Sequence, residues 1–209
     1  MHAIITDGSI SKYINHPKSL VIGDVRYPAR IFSVWTASEL AAIGIIEVTF
    51  DDSKKKDEQW YINTNQTYTY DADAGTVTAT YGDATPKAHA DTLWTQQDSD
   101  DGNLPDDKEV GDVKVEGLKT QLIRTIKQQA SGLLAPTDWY VVKASEVSDY
   151  SVPTNIATYR ASVRTKSNEM ETAITNASDT PALETLYTYT EQEDGTVTRP
   201  LGELPILEA

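Results

Sequence analysis

The sequence predicts an α+β fold: an antiparallel β-rich N-terminal half with one short helix, then a helical hairpin with an inserted strand, then a small C-terminal β-hairpin. Three observations carry this expectation. In residues 66–70 and 76–81, tyrosine, valine and alanine alternate with polar residues at the strand period of two. Leu118, Leu122, Ile126, Ala130 and Leu133, and later Ile156, Tyr159, Val163, Met170 and Ile174, recur at the three- and four-residue steps of a helix burying one stripe. Between these two kinds of pattern, Asp98, Asp100, Asp101, Asp106, Asp107 and Glu109 crowd into a Gly/Pro-containing stretch that reads as a linker. The expected division is a β-rich domain over 1–93, an acidic linker over 94–114, a helical domain over 115–190, and a hairpin with an extended tail over 191–209.

In chain order, residues 2–14 read as a hairpin, because Asp7-Gly8 lies between apolar runs and Asp-Gly suits a two-residue turn. Val21-Ile22 and Arg30-Ile31-Phe32 are expected to be edge strands or ordered loop. Thr36 and Glu39 have the spacing of a capping box, and Gly44 ends that helix in the left-handed region. Ile45 to Phe50 leaves as a strand, and Asp71 to Gly75 closes a hairpin between the two alternating runs. Trp60-Tyr61-Ile62 belongs to the same meander.

The helical half opens with the Leu118 stripe and is expected to stop near Pro136, since proline disfavours the α region for the residue before it. Residues 137–143, dense in aromatic and β-branched side chains, read as the inserted strand. A second helix starts near Thr154, with Arg160 and Arg164 expected on its outer side. A third is announced by Thr180 as cap and Pro181 at the first helical position. Residues 186–190 and 196–198 flank Glu193-Asp194-Gly195 as the last hairpin.

Two segments of this half carry a family resemblance. Leu133-Leu134-Ala135-Pro136-Thr137-Asp138-Trp139, followed by Tyr159-Arg160-Ala161-Ser162-Val163-Arg164, resembles the LLA-x-TDW … YR-x-x-hR pattern of the phage tail assembly chaperone domain. Residues 34–44 are similar, less specifically, to an N-terminal segment of such proteins. The resemblance implies a protein of the tailed-phage tail, made in the bacterial host cytoplasm, whose partners are other tail or tail-fibre proteins. The chain runs 45 residues beyond Arg164 and carries an elaborate front half. Those departures favour a structural protein of the virion, homo-oligomeric in the assembly, over a chaperone that leaves. A host-glycan-binding receptor module is a further alternative.

Composition narrows the field. Zero cysteines exclude disulfides, iron–sulfur clusters and thiolate zinc sites. No apolar run approaches the ~20 residues of a membrane-spanning helix, and no basic start with an apolar core marks a signal peptide. A net charge of −14 disfavours nucleic acid and anionic membranes as partners. Tyrosine outnumbers phenylalanine eleven to two, which suits half-exposed strands and wet interfaces.

No catalytic site is expected: the three histidines are scattered, and no nucleophile elbow, phosphate loop or dinucleotide fingerprint is present. No cofactor is expected either. Asp98, Asp100, Asp106 and Glu109 fall at EF-hand positions, but Gly102 and Asn103 occupy the fifth and sixth places, which favours a solvated linker. Trp60-Tyr61 and Trp139-Tyr140 read either as glycan platforms or, preferably, as pairs straddling a strand with one ring inward. Arg160 and Arg164, one helical turn apart, read either as an anion receptor or as one half of a clasp on Asp138, with Trp139 and Tyr159 beside it. Leu201, Leu204, Pro205, Ile206 and Leu207 form an apolar, proline-fixed strip expected to dock on another subunit.

Overall fold

The structure, a computed structural model, describes residues 1–64 and 66–207. The chain divides into two compact units, 1–85 and 86–209, and its α+β class, with an antiparallel-rich N-terminal sheet, helices in the second half and a small C-terminal hairpin, is as the sequence predicts.

In the first unit, β1 (His2–Thr6) and β2 (Ser9–Ile14) form the expected hairpin, with Asp7 and Gly8 both at positive φ (51° and 75°), the backbone a two-residue primed turn requires. The small ribbon of β3 (Leu20–Ile22) and β4 (Val25–Tyr27) follows. Ile31–Val34 is a single helical turn, α1, in place of the strand or loop expected at Arg30-Ile31-Phe32. Thr36 and Glu39 make both bonds of the capping box at α2 (Ala37–Ala42). Gly44 then turns at φ 80° into β5 (Ile45–Asp51), where a Cβ would stand 2.7 Å from the Ile5 carbonyl oxygen. β6 (Tyr61–Ile62) is brief, and both Trp60 and Tyr61 are buried, so neither ring of that pair is the outward one the sequence suggested.

β7 (Thr67–Asp71) and β8 (Thr76–Thr80) complete a five-stranded sheet in the order β2-β1-β5-β8-β7. One pairing departs from the antiparallel rule: β5 and β8 run parallel, Val48 opposite Val77. The sheet curls until its outer strands meet at Tyr13 and Tyr68, whose rings lie 4.7 Å apart. Ala3, Val48, Val77 and Ala79 fill the inside of the curl. Ile45 faces the other way, against Ile31, Leu40 and partly buried Leu20, Tyr27 and Trp35. The second face is covered only at the start of β5; along the parallel stretch Thr49 is exposed and Thr78 half-buried, so this parallel pair is buried on one face, unlike most.

The second unit begins at Pro86, ahead of the acidic stretch, and residues 86–93 fold with the helices. The carbonyls of Ala88 and His89 accept from the amides of Leu118 and Lys119, and Asp91 accepts from the Gly117 amide (2.7 Å) and the Thr120 hydroxyl (2.8 Å). These are the first amides of α4 (Leu118–Leu134), so the segment caps that helix from outside. Residues 94–114 are not a bare linker. Thr95 and Asp98 cap a short helix, α3 (Gln96–Asp100), and Trp94 exchanges backbone bonds with Gly111 and Asp112. β9 (Thr92–Leu93) pairs with β10 (Val113–Val115).

The largest correction concerns residues 137–143. The chain passes from α4 through a 3₁₀ turn (Ala135–Thr137) directly into a helix, α5 (Asp138–Glu146). Pro136 lies in the first turn of the new helical segment, where its missing amide costs nothing, so it redirects the helix and no strand forms. α6 (Thr154–Asn176) then runs antiparallel to α4. Lys119 reaches the Thr175 carbonyl, Lys127 reaches Glu171, and Ala130 packs with Tyr159 and Val163. α7 (Thr180–Tyr187) is capped by Asp179, one residue before the expected cap; the buried Thr180 donates instead to the Lys87 carbonyl at 2.6 Å. β11 (Thr190–Glu191) and β12 (Val197–Thr198) close the chain's last hairpin.

Candidate functional site: a buried arginine under an exposed helix

Three of the five clasp residues singled out in the sequence, Asp138, Tyr159 and Arg160, meet where α4 turns into α5. Tyr159 and Arg160 lie on the buried side of α6, and this places Arg160 inside, not on the outer face its charge suggested. The residue is 7 % exposed. Its Nη1 donates to the Leu134 carbonyl (3.0 Å) and the Thr137 hydroxyl (2.6 Å), and lies 2.8 Å from an Asp138 carboxylate oxygen. Tyr159 donates its hydroxyl to the Leu133 carbonyl at 3.2 Å. The carbonyls of Leu133 and Leu134 are among those a helix leaves unsatisfied at its C-terminus. Arg160 and Tyr159 therefore terminate α4, while Asp138 sits in the first turn of α5, where a carboxylate suits the helix dipole. One guanidinium thus fixes the angle between two helices. The contact to Asp138 is single, not the two-pronged fork arginine is able to make.

Arg164 is not part of this arrangement. It makes one long bond, 3.5 Å, to the Arg160 carbonyl, and no ion pair among the described residues. It lines a groove of about 370 Å³ with Lys127, Ser131, Asp138 and Asn168.

Trp139 reverses its expected role. It is 53 % exposed and stacks on Tyr140 with ring centroids 3.8 Å apart, while the Lys143 ammonium lies 5.9 Å from its ring. Val141 and Val142 are exposed beside it, and no residue of α5 is buried. Five of its nine residues are aromatic or aliphatic, Tyr140 and Ala144 are half-buried, and the Arg160 clasp holds its first turn.

The terminal strip divides in two. Leu201 is 2 % exposed and bonds backbone to backbone with Leu186, and Leu204 packs on Ala130, Tyr159 and Val163. Arg199 ties the strip down, bonding Glu203 (2.8 Å) and the Gly202 carbonyl (3.1 Å) and lying over the rings of Tyr187 and Tyr189. The Tyr189 hydroxyl donates to Glu203 at 2.6 Å, and that bond raises the phenol's pKa. Pro205 is half-buried. The docking arm read over Leu201, Leu204, Pro205, Ile206 and Leu207 is thus corrected: only Ile206, 76 % exposed, and Leu207 project.

The acidic stretch spends its leading carboxylate internally. Asp98 accepts from Lys114 (2.5 Å) and from the Thr95 hydroxyl and amide, which hold its pKa at about 2. Among the described residues no cluster of three His, Cys, Asp or Glu is placed to hold a metal ion.

The sequence reading missed Thr137, which is buried and bonded to Arg160, and Asp91, which caps α4 from 26 residues away. Gly117 was missed as well: a Cβ there would come within 2.3 Å of the Ala90 backbone, so only glycine fits.

Comparison of the chain with protein-family models, curated proteins and solved structures finds no match.

Proposed function

We propose that the chain is a non-enzymatic structural protein of a tailed-phage tail, at the tail tip, baseplate or fibre attachment site, working through protein–protein contacts in multiple copies. The single observation that carries this reading is α5. A nine-residue helix presents Trp139, Val141 and Val142 to solvent and fully buries no residue, while a buried arginine fixes its start. An isolated domain gains nothing from ordering such a helix, since exposed apolar surface of this kind is stabilised only when covered. Interfaces concentrate their binding energy in a few Trp, Tyr and Arg side chains, and α5 offers Trp139 and Tyr140 together. The residues that carry the resemblance to the tail assembly chaperone domain are the same ones that build the clasp: Leu133, Leu134, Thr137, Asp138, Tyr159 and Arg160.

The exposure of Trp139 also favours a second reading, a glycan platform, since a free indole face stacks on sugar rings. Glycan binding would require Trp139→Ala to abolish retention on a host-polysaccharide column, whereas the structural role leaves that unaffected. The test of the first reading is quantitative mass spectrometry of gradient-purified particles beside the infected-cell lysate. A fixed, multiple copy number per particle is expected. Abundance in the lysate with absence from particles would reject it in favour of an assembly chaperone that departs.

A further inference from the structure

The chain's charge is unevenly spread. Its first 46 residues carry four Lys/Arg against three Asp/Glu, whereas the whole carries 18 against 32. Three of those four cations surround one groove of the first unit, about 400 Å³ in volume. Lys12 stands opposite Ile4 in the β1–β2 register, and Arg26 stands opposite Val21 in the β3–β4 ribbon. Lys18 lies in the connection between β2 and β3 and lines the same groove, together with Ile14 and Leu20. Ile4 and Ile14 are buried and Leu20 half-buried, while the three cations are exposed. The groove thus has an apolar floor and a basic rim. None of the three cations forms an ion pair among the described residues, and no acidic side chain lines the groove.

Uncompensated cations are unusual in a chain with nearly twice as many acids as bases, where a carboxylate partner is easily come by. We propose that this groove is a docking site for an acidic segment of a partner protein in which apolar and carboxylate side chains alternate. In an extended peptide alternate side chains point to opposite sides, so apolar groups settle on Ile4, Ile14 and Leu20 while carboxylates reach toward the flanking cations. Charge complementarity at a rim sets partner choice and association rate, and the apolar floor adds the area. A nucleic acid fits less well. Its phosphates recur over a long track, and beyond this groove the chain turns acidic, so few contacts would form. The groove also lacks an aromatic lining on which bases would stack.

The test is fluorescence anisotropy on the full chain with three labelled probes: a short peptide alternating Glu and Leu, one alternating Glu and Ser, and a DNA oligonucleotide. The Glu–Leu peptide is expected to bind, more tightly than either other probe, and to weaken as salt rises. The variant Lys12→Gln/Lys18→Gln/Arg26→Gln should lose about tenfold or more in affinity, while Lys54→Gln/Lys56→Gln/Lys108→Gln should change it less than about twofold. All six are surface positions, and melting temperatures check that each variant is folded. Equal losses in both variants, tighter binding of DNA, or no binding of the Glu–Leu peptide would overturn the proposal. So would self-association of the unliganded chain that the groove variant abolishes, since the occupant would then be a second copy.

Discussion

α6 and α5 lie in the same unit and differ in what their apolar residues are for. Over 23 residues α6 buries seven, among them an arginine and a serine; over nine residues α5 buries none, although more than half of it is Trp, Tyr, Val or Ala. Apolarity alone therefore does not say which helix is core. The stripe at three- and four-residue steps does, because only a stripe meets a partner helix along its length. In α5 the apolar residues are consecutive, so they point around the helix and no single neighbour covers them.

The largest effect is expected in α6. Ile174 is fully buried, and Ile174→Ala should cost ~2–5 kcal/mol in urea unfolding, through lost transfer energy and the cavity left behind. A loss below ~1 kcal/mol would mean that the α4–α6 seam is loosely packed. Arg160→Ala comes next, at ~1–3 kcal/mol, since it removes the guanidinium's bonds to the Leu134 carbonyl and the buried Thr137 hydroxyl and leaves those two only their bond to each other. The loss stays below the usual figure for a broken buried ion pair because Asp138 remains in contact with water. Arg160→Met keeps the bulk and should still lose stability, as the bonds matter more here than the volume.

Helix α3 supplies a pH-dependent version of the same comparison. Asp98 is held at about 2, below its unfolded value of ~3.9. A depressed carboxylate contributes stability that is present above the unfolded value and is lost as pH falls through about 4 toward 2. Amide signals of residues 95–101 should therefore change over that window in the native protein, and Asp98→Asn should remove the change. The smallest effects belong to the exposed residues. Trp139→Ala should alter stability by no more than ~0.5 kcal/mol, as surface substitutions do, and so should removal of the Ile206 side chain, whereas Leu201→Ala should cost several times more. A drop of several degrees on Trp139→Ala would place that ring in the core.

Much of this was legible in the sequence wherever the signal was local. The Asp7-Gly8 turn, the Thr36–Glu39 box and the α4 and α6 stripes depend on residues a few positions apart. What was not legible depends on the fold. The parallel pairing of β5 with β8 joins segments separated by a charged loop and a hairpin. Residues 138–143 have strand composition, but Pro136 in a first helical turn and the Arg160 bonds hold them helical. Arg160 looked like a surface cation because charge normally stays in water, and only the carbonyls at the end of α4 give it an interior role. Leu201 and Leu204 read as a free arm because their contacts, Leu186, Ala130 and Tyr159, are distant in sequence.

Arg160 is what holds α5 in place. Amide hydrogen exchange on the native protein and on Arg160→Ala tests it directly, because exchange reports local opening apart from global unfolding. Amides of residues 142–146 are expected to exchange much faster in the variant, while those in the middle of α4 and α6 slow or speed only with the change in global stability. Unchanged protection across α5 in Arg160→Ala would contradict it.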